Sequence, residues 1–543
     1  MNNEKGNLNI ELEGLDMKDT NEIKSPIKSK VKGRIQSHFS GFLRAFVVGM
    51  LVLLQFVIIL ILPFLFREYS VYLYVVLVVL SVGTILSLVN DERSMSYKIS
   101  WIYIVLLLPI SGHIMYALWG KATSKKKIES RIVAKLNRGL EFFSQDPEVL
   151  NQYKIEYPTK YRMAQYMNAE GFPLFKNNEI AYFRMGEDAF EDLFDELQNA
   201  KEFIMMNFFI VAEGAIWDHL HSILLEKISE GVKVMFMYDD FGALFRTPKY
   251  FRRDLEAEGF EIRVFNPVHK YADKLYMNYR SHQKIVVIDG NIGYTGGFNI
   301  ADEYANLVQR FGIWKDSGIK VIGDAVWGLT VTFLQMWEVC SQEDEEIDYN
   351  RYRPTMEFPK NQVYCQVISD GPANNPNNPI ENVYMQMIQY ATDYVYITTP
   401  YLIIEDDMRL ALITAAKSGV DVRIICPCLP DKKNVKCLTN YNYGALLKEG
   451  VRIYEYTPGF IHAKSIINES TGIVGTINMD YRSFYLQYEC GVWMSNREVV
   501  DCIRRDIVDT LEECHEVTYE EWKNRPWKLK VYQTIINAFS TLM

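Results

Sequence analysis

Apolar residues fall along this chain in three regimes. A polar opening of mixed charge and no clear periodicity gives way to three nearly continuous apolar runs, 45–66, 71–89 and 101–118. A membrane-crossing helix needs about 20 apolar residues, and the first two runs meet that without an internal charge. The third carries Pro109, Gly112 and His113 and reads as a further span, a re-entrant segment or a surface helix, with His113 packed rather than functional. Past residue 121 the pattern alternates. Helical periodicity over 189–200 and 217–229 is interleaved with apolar strands at 203–211 and 232–238, the second ending at Asp239 and Asp240. The same order returns with helices at 380–391 and 408–418 and strands at 394–398 and 422–426.

Alternating helix and strand predict an α/β fold, and the recurrence predicts two similar halves of mixed sheets flanked by helices. The acidic stretch 342–348, followed by Pro354 and Pro359, is the natural linker. The expected organisation is a disordered polar tail (1–40), a membrane region with two or three transmembrane helices (41–120), a first half (121–345) and a second half (346–543). The second half ends at 522–543, where Leu529, Tyr532, Ile535, Ile536 and Phe539 follow a helical spacing beside Lys523, Arg525, Trp527, Lys528 and Lys530. That stretch reads as an amphipathic helix, lying on a membrane or packed on the domain.

Charge adjusts this outline. A chain of 543 residues is too long for one ordinary core, and its net charge of −10 argues against a general nucleic-acid binder. Lys28, Lys30, Lys32, Arg34 and Arg44 precede the first apolar run, and Lys121, Lys125, Lys126, Lys127, Arg131, Lys135 and Arg138 follow the third. Both flanks read as cytoplasmic, which two spans plus one non-spanning segment reconcile. The large domain is then cytoplasmic, attached to the cell membrane by more than one pass. All 8 cysteines lie in the later part of the chain, without zinc or redox spacing, and read as free thiols of a reducing compartment.

The candidate chemistry lies in a repeated fragment. Tyr-Arg-Ser-His282-Gln-Lys284 is followed by Asp289, Gly296, Gly297 and Asn299; Phe-Ile-His462-Ala-Lys464 is followed by Asn468, Glu469, Gly475 and Asn478. A histidine and a lysine two residues apart on a strand face the same side, which aims one nucleophile or base and one fixed cation at the same phosphate. Two copies supply the two proton-handling groups that phosphodiester chemistry through a covalent intermediate needs. Imidazole suits either role, with an unperturbed pKa of about 6.5. Lys284 and Lys464 then neutralise the non-bridging oxygens, and Asn299 and Asn478 add neutral donors. His219 and His221 fall on different faces of a helix and read as unrelated to the site. Basic and aromatic residues interleave at Arg246, Lys249, Tyr250, Phe251, Arg252 and Arg253, and again at Lys270, Tyr271, Lys274, Tyr276 and Tyr279. Such interleaving suits lipid phosphates or a single-stranded nucleic acid; the apolar runs favour lipid.

The motif His282-x-Lys284-x4-Asp289, with Gly296-Gly297-x-Asn299, resembles the phospholipase D superfamily, whose members build one active site from two such motifs. The resemblance is closer to the bacterial cardiolipin synthases, through Ile-Ala-Asp302-Glu303-Tyr304, Thr-Thr-Pro400-Tyr401, Asn478-Met-Asp480-Tyr-Arg482-Ser483-Phe484 and the segment Lys98-Ile-Ser-Trp101. It runs from about residue 98 to the C-terminal region. It implies phosphatidyl transfer from one phosphatidylglycerol to another through a phosphohistidine, giving cardiolipin and glycerol, with no cofactor and no metal. The implied partners are phosphatidylglycerol and other anionic phospholipids in a bilayer, not nucleic acid.

The resemblance implies catalytic roles for His282, Lys284, Asp289, His462, Lys464 and Glu469, and substrate contacts from Gly297, Asn299, Glu303, Asn478 and Glu489. His282 is favoured as nucleophile because its motif is the complete one. Glu303 and Glu489 are expected to bond the histidine of the opposite motif. The second copy departs from the pattern: Glu469 stands where the family has an aspartate, with Asn468 beside it, so either one fills that role. A hydrolase, a transferase to another alcohol, and a weakened lipid-binding protein are the alternatives.

Overall fold

The structure is a computed structural model and describes residues 50, 53, 55–57, 70–120, 126–244, 246–267, 279–341, 347–374 and 377–542. The polar tail, most of the first apolar run, Lys121, Lys125, the acidic stretch 342–346 and the aromatic–basic residues Lys270, Tyr271, Lys274 and Tyr276 lie outside the described residues. Packing divides the chain after Leu53. Of the first unit only Met50 and Leu53 are described; everything below belongs to the second.

Helix α1 (Ser70–Val89) coincides with the second apolar run, is long enough to cross a membrane and leaves most of its surface uncovered. The third apolar run is not a single helix. It is broken after α2 (Met95–Leu107) at Pro109, and a short helix at Ser111–Met115 follows. In a continuous helix residues 104 and 112 would be about 12 Å apart. Here a Cβ at Gly112 would lie 2.4 Å from the Ile104 carbonyl oxygen, so the chain folds back on α2 and only glycine permits the approach. The buried Gln55 side chain accepts from the Ile110 and Ser111 amides and the Ser111 hydroxyl, satisfying donors a helix start leaves unpaired. His113 bonds the Pro109 carbonyl oxygen at 2.8 Å, which fits a packing role.

The first half contributes β1 (Asn178–Phe183), β2 (Phe203–Phe208), β3 (Lys233–Asp239), β4 (Glu261–Phe265), β5 (Arg280–Ser281), β6 (Ile285–Ile288), β7 (Ile292–Gly296), β8 (Ile313–Lys315) and β9 (Gly318–Gly323). The second contributes β10 (Tyr364–Asp370), β11 (Tyr394–Thr398), β12 (Leu402–Ile403), β13 (Asp421–Pro427), β14 (Arg452–Tyr456), β15 (Gly459–Ile461), β16 (Ser465–Asn468), β17 (Gly472–Gly475), β18 (Met479–Asp480), β19 (Gln487–Ser495) and β20 (Cys514–Val517). One sheet runs β1-β9-β7-β6-β2-β3-β4 and the other β10-β19-β17-β16-β11-β13-β14-β20, the same path with one strand added. Within each, a parallel trio (β2-β3-β4; β11-β13-β14) adjoins antiparallel strands. β2 and β6 are buried at every position, which is why they read as apolar runs, interrupted only by Asn207 in β2, rather than as alternating ones.

Helix α3 (Val326–Cys340) is mostly apolar and buried along nearly its whole length, touching β2, β4 and β6 of one sheet and β10 of the other. Its Leu, Val, Phe and Trp side chains, at about 1.5–3 kcal/mol each when fully buried, weld the halves into one core. The division at residue 345 is crossed in packing: Tyr153, Met163, Met167 and Phe172 precede the first sheet in sequence, yet their side chains pack with Tyr364, Ile368 and Val395 of the second. At the C-terminus, helix α4 (Trp527–Asn537) exposes Trp527, Val531 and Ile535. The segment after it meets α2, where the Ser100 hydroxyl donates to the Ala538 carbonyl at 2.9 Å. All eight cysteines are free.

Candidate active site

Two short parallel pairings across the halves build the site. β5 runs beside the start of β19 with Arg280 opposite Gln487 and Ser281 opposite Tyr488; β15 runs beside β8 with Phe460 opposite Trp314 and Ile461 opposite Lys315. The next residue on one side of each pair is a histidine and on the other an acid. The His282 amide donates to the Tyr488 carbonyl at 2.9 Å, and the His462 amide to the Lys315 carbonyl at 2.7 Å. His282 Nδ1 then lies 2.9 Å from Glu489, and His462 Nδ1 lies 2.7 Å from Asp316. Each imidazole is therefore held by the other half. An Nδ1–H given to a carboxylate fixes the tautomer and leaves Nε2 as the basic nitrogen.

The His-x-Lys fragments do not lie within strands but in the extended links β5–β6 and β15–β16. Lys284 Nζ donates back to the His282 carbonyl at 2.6 Å, and Lys464 Nζ to the His462 carbonyl. Both ammoniums are buried. Burial pushes Lys284 down to about 7, against the pull of Glu489, and Lys464 down to about 8, against Asp316. Burial likewise lifts Glu489 to about 7 and Asp316 to about 6, the lysines opposing it. Both histidines are held well below the usual imidazole range, first by burial and then by the two lysines. These shifts describe a desolvated site with two lysines close to both histidines. A phosphodiester bound there would raise the lysines and histidines together.

The remaining expected residues divide. Asn299 and Asn478 line the cavity with the histidines. Asn299 accepts from the Ile210 amide at 2.9 Å and donates to the Tyr304 hydroxyl at 2.8 Å. Gly297 is a packing requirement rather than a substrate contact: a Cβ there would fall 1.9 Å from Asp316 Oδ1 and 2.9 Å from the His462 carbonyl oxygen. The second half has Thr476 in that place, and its hydroxyl donates to Glu489.

Glu303 does not bond His462; its carboxylate is taken by Arg246 at 2.5 Å and Arg310 at 3.5 Å. Asp289 touches neither histidine. It sits beyond the far end of β6 and accepts from the amides of Lys201, Glu202 and Phe203, each at 2.8 Å, fixing the loop that starts β2. Glu469 does the corresponding job for β11, accepting from the Thr392 amide at 3.2 Å and the Asp393 amide at 3.5 Å. Asn468 turns instead to its own loop, accepting from Ser470 and Thr471. The two acids therefore support strands, not proton transfer. His219 packs edge-on against Phe194, and His221 pairs with Glu258.

Asp316 is the functional residue that sequence reasoning missed. Gly318 pairs with Gly296 and Gly491 with Gly475, and each acid stands two residues before the pairing glycine. An acid-x-Gly opening the next strand was the available signal.

The histidines open into one cavity of about 640 Å³ lined from both halves. Phe209, Tyr304, Phe311, Trp314 and Tyr401 give it apolar walls, Arg246, Arg310, Lys432 and Arg482 a cationic rim, and Tyr481 and Thr541 an edge next to α2. Such a cavity accepts a phosphodiester with an apolar stem. Among the described residues no group of His, Cys, Asp and Glu is placed to hold a metal ion.

The chain is similar to several known proteins. The family model described as cardiolipin synthase, phospholipase D-like domain, matches residues 193–317 and 384–509, and a phospholipase D-nuclease N-terminal model matches 76–121. A cardiolipin synthase of Oceanobacillus iheyensis is 31% identical over 86% of this chain and 98% of its own length. Cardiolipin synthase 1 of Staphylococcus aureus is 30% identical over 86% of this chain and 97% of its own. An uncharacterized protein of Streptococcus mutans is 36% identical over 85% and 100%. Among solved structures, a phosphatidylserine synthase of Haemophilus influenzae shares the fold at a TM-score of 0.56 and 13% identity, covering 71% of this chain and all of its own.

Proposed function

The chain belongs to the cardiolipin synthase family of phospholipase D-like proteins, and we propose that it joins two phosphatidylglycerol molecules into cardiolipin with release of glycerol. The chemistry is phosphatidyl transfer. The observation that carries the reading is the crossed pair of histidine–acid contacts opening on one cavity, with a buried lysine two residues from each histidine.

His282 Nε2 attacks phosphorus while the bond from phosphorus to the departing glycerol oxygen breaks. His462, protonated once the phosphodiester is bound, gives its proton to that alkoxide. Lys284 and Lys464 hold the non-bridging oxygens through the charge redistribution. Glycerol leaves, and a phosphatidyl group remains on His282. The hydroxyl of a second phosphatidylglycerol then loses its proton to His462 and attacks phosphorus, releasing His282 unmodified. Glu489 and Asp316 keep the two rings oriented and compensate the positive charge each acquires.

The protein acts at the cell membrane, attached through α1 and the preceding apolar run, with its catalytic domain on the cytoplasmic face. The distribution of lysine and arginine around the apolar runs supports that orientation, and the position of the cavity edge beside α2 supports entry of lipid from the bilayer. Purified protein in phosphatidylglycerol liposomes should yield cardiolipin and glycerol in equal amounts by mass spectrometry. Phosphatidic acid without cardiolipin would sink the transferase reading in favour of hydrolysis.

A further inference from the structure

The cavity wall holds a cation cluster that the chemistry at phosphorus does not use. Arg246 Nη2 and Arg310 Nη1 meet the same oxygen of Glu303, at 2.5 Å and 3.5 Å, and all three residues line the cavity. Glu303 is the buried member, its side chain 9% exposed against 24% for Arg246 and 54% for Arg310. Among the described residues neither arginine pairs with a second carboxylate. Two guanidiniums on one carboxylate leave net positive charge, and each retains several N–H donors in the planar fork that suits phosphate.

The cluster has a defined side. Tyr304, next to Glu303, accepts from Asn299 and places its ring 5.5 Å from that of His462. The arginines thus stand by the histidine that deprotonates the acceptor. Phe311 and Trp314 continue the same wall as apolar surface, and Arg310 lies over the Phe311 ring at 5.3 Å. Lys432, elsewhere on the lining, stands 3.8 Å from Asp431.

An enzyme that joins two phosphodiesters through one glycerol must hold two anions at once. Lys284 and Lys464 serve the phosphorus under attack. The second phosphate cannot share that place, because like charges repel strongly in a desolvated site, so it needs cations one glycerol away. Water or a neutral alcohol as acceptor needs none. We propose that Arg246 and Arg310, seated on Glu303, bind the phosphate of the acceptor lipid and so select an anionic glycerophospholipid over water. Glu303 is a positioning residue: it aims the two guanidiniums and touches no reacting atom. This inference rests on the phosphatidyl-transfer reading above.

The test is product partition by the full-length protein in vesicles of phosphatidylglycerol diluted in phosphatidylcholine. Arg246→Gln/Arg310→Gln should lower the ratio of cardiolipin to phosphatidic acid about tenfold or more, with glycerol still released. The surface concentration of phosphatidylglycerol needed for half-maximal cardiolipin formation should rise. Arg310→Lys, which keeps the charge and loses the fork, should fall between, and Glu303→Gln should shift the partition less than the double change. An unchanged ratio in the double variant overturns the subsite. So does equal loss of both products in a variant that melts at the wild-type temperature. If the double variant melts early, Arg310→Gln, at a half-exposed position, decides by the same ratio. Wild-type protein that releases phosphatidic acid and never cardiolipin would instead remove the transfer reading on which the subsite stands.

Discussion

The two halves repeat a backbone but not a chemistry. Their sheets follow the same strand path, and each histidine is presented by the same backbone contact and held by an acid from the other half. Around that frame the side chains differ. On one side Gly297 makes room for Asp316, and His462 stands among the rings of Tyr304, Trp314 and Phe460. On the other, Thr476 bonds Glu489, while the buried Arg280 precedes His282 in β5 and Arg482 adds to the positive field on that histidine. Symmetric geometry opens two imidazoles onto one cavity. The unequal work proposed for them goes with unequal surroundings: aromatic faces beside His462 tolerate its protonated form, and Arg482 adds its charge to the lysines acting on His282.

The largest effects should come from the histidines. His282→Ala and His462→Ala are each expected to lower cardiolipin formation by about 10³-fold or more, since each removes a participant in bond making or proton transfer. The unequal assignment predicts a further difference. With labelled phosphatidylglycerol, His462→Ala should accumulate an acid-labile phosphoenzyme and His282→Ala should not. Label trapped in the His282 variant alone would reverse the roles, and a normal rate in either would end the two-histidine mechanism.

The acids come next. Asp316→Asn and Glu489→Gln should each cost about 10²-fold, by loss of ring orientation and of compensating charge. Their pH dependence separates structure from catalysis. Glu489 and Asp316 have folded-state pKa values raised by burial, to about 7 and about 6. The folded state therefore binds more protons than the unfolded one between the ordinary carboxyl range and those values, so their contribution to stability is full at low pH and lost as pH rises through them. In the absence of lipid, Glu489→Gln should remove this falling contribution and turn the slope of urea midpoint against pH more positive between about pH 4.5 and 7, where the two histidines, held neutral, act in the opposite sense. An unchanged slope would place the titration elsewhere.

How far the sequence reached follows from the distances over which its signals act. Strands β2, β3, β11 and β13 were legible because they are largely buried apolar runs interleaved with periodic helices, and the His-x-Lys repeats marked the site. The pairing of β8 with β15 was not legible: it spans three residues, runs in parallel and joins segments about 150 residues apart, so no local pattern announces it. Asp316 was missed for that reason, and Glu303, a better-spaced acid, stood in its place. The packing of Tyr153, Met163 and Phe172 on the second sheet was hidden in the same way, because apolar periodicity says which face of a helix is buried but not against what.

Gly297 and Thr476 give a smaller and sharper contrast. Gly297→Ala places a Cβ 1.9 Å from Asp316 Oδ1, so the carboxylate must leave its bond to His462. The expected loss is several tens of fold, approaching that of Asp316→Asn. Thr476→Val removes one hydroxyl donor from Glu489 and leaves the bond to His282, so only a few-fold loss is expected. Steady-state rates on phosphatidylglycerol vesicles measure both. Equal losses would mean that the two halves use this position alike, against the asymmetry of Gly297 and Thr476.

The smallest effects on turnover should come from the acids that only tie strands together, and there the comparison moves from rate to stability. Asp289 accepts three backbone amides at 2.8 Å, one of them at the buried start of β2, whereas Glu469 makes longer, solvent-exposed contacts. Removing the first carboxylate strands the buried Phe203 amide, and an unsatisfied buried donor costs about 1–3 kcal/mol. Asp289→Ala should therefore destabilise the protein by about 1–3 kcal/mol. Glu469→Ala, whose freed amides reach water, should cost less than about 1 kcal/mol. Neither acid touches an imidazole, so the rate per folded molecule should stay within a few-fold of wild type for both. Denaturant unfolding of the detergent-solubilised protein, read beside specific activity, separates the two quantities. A large fall in activity of folded Glu469→Ala would return that residue to the active site, and equal destabilisation by both changes would erase the distinction drawn here between a tight and a loose strand anchor.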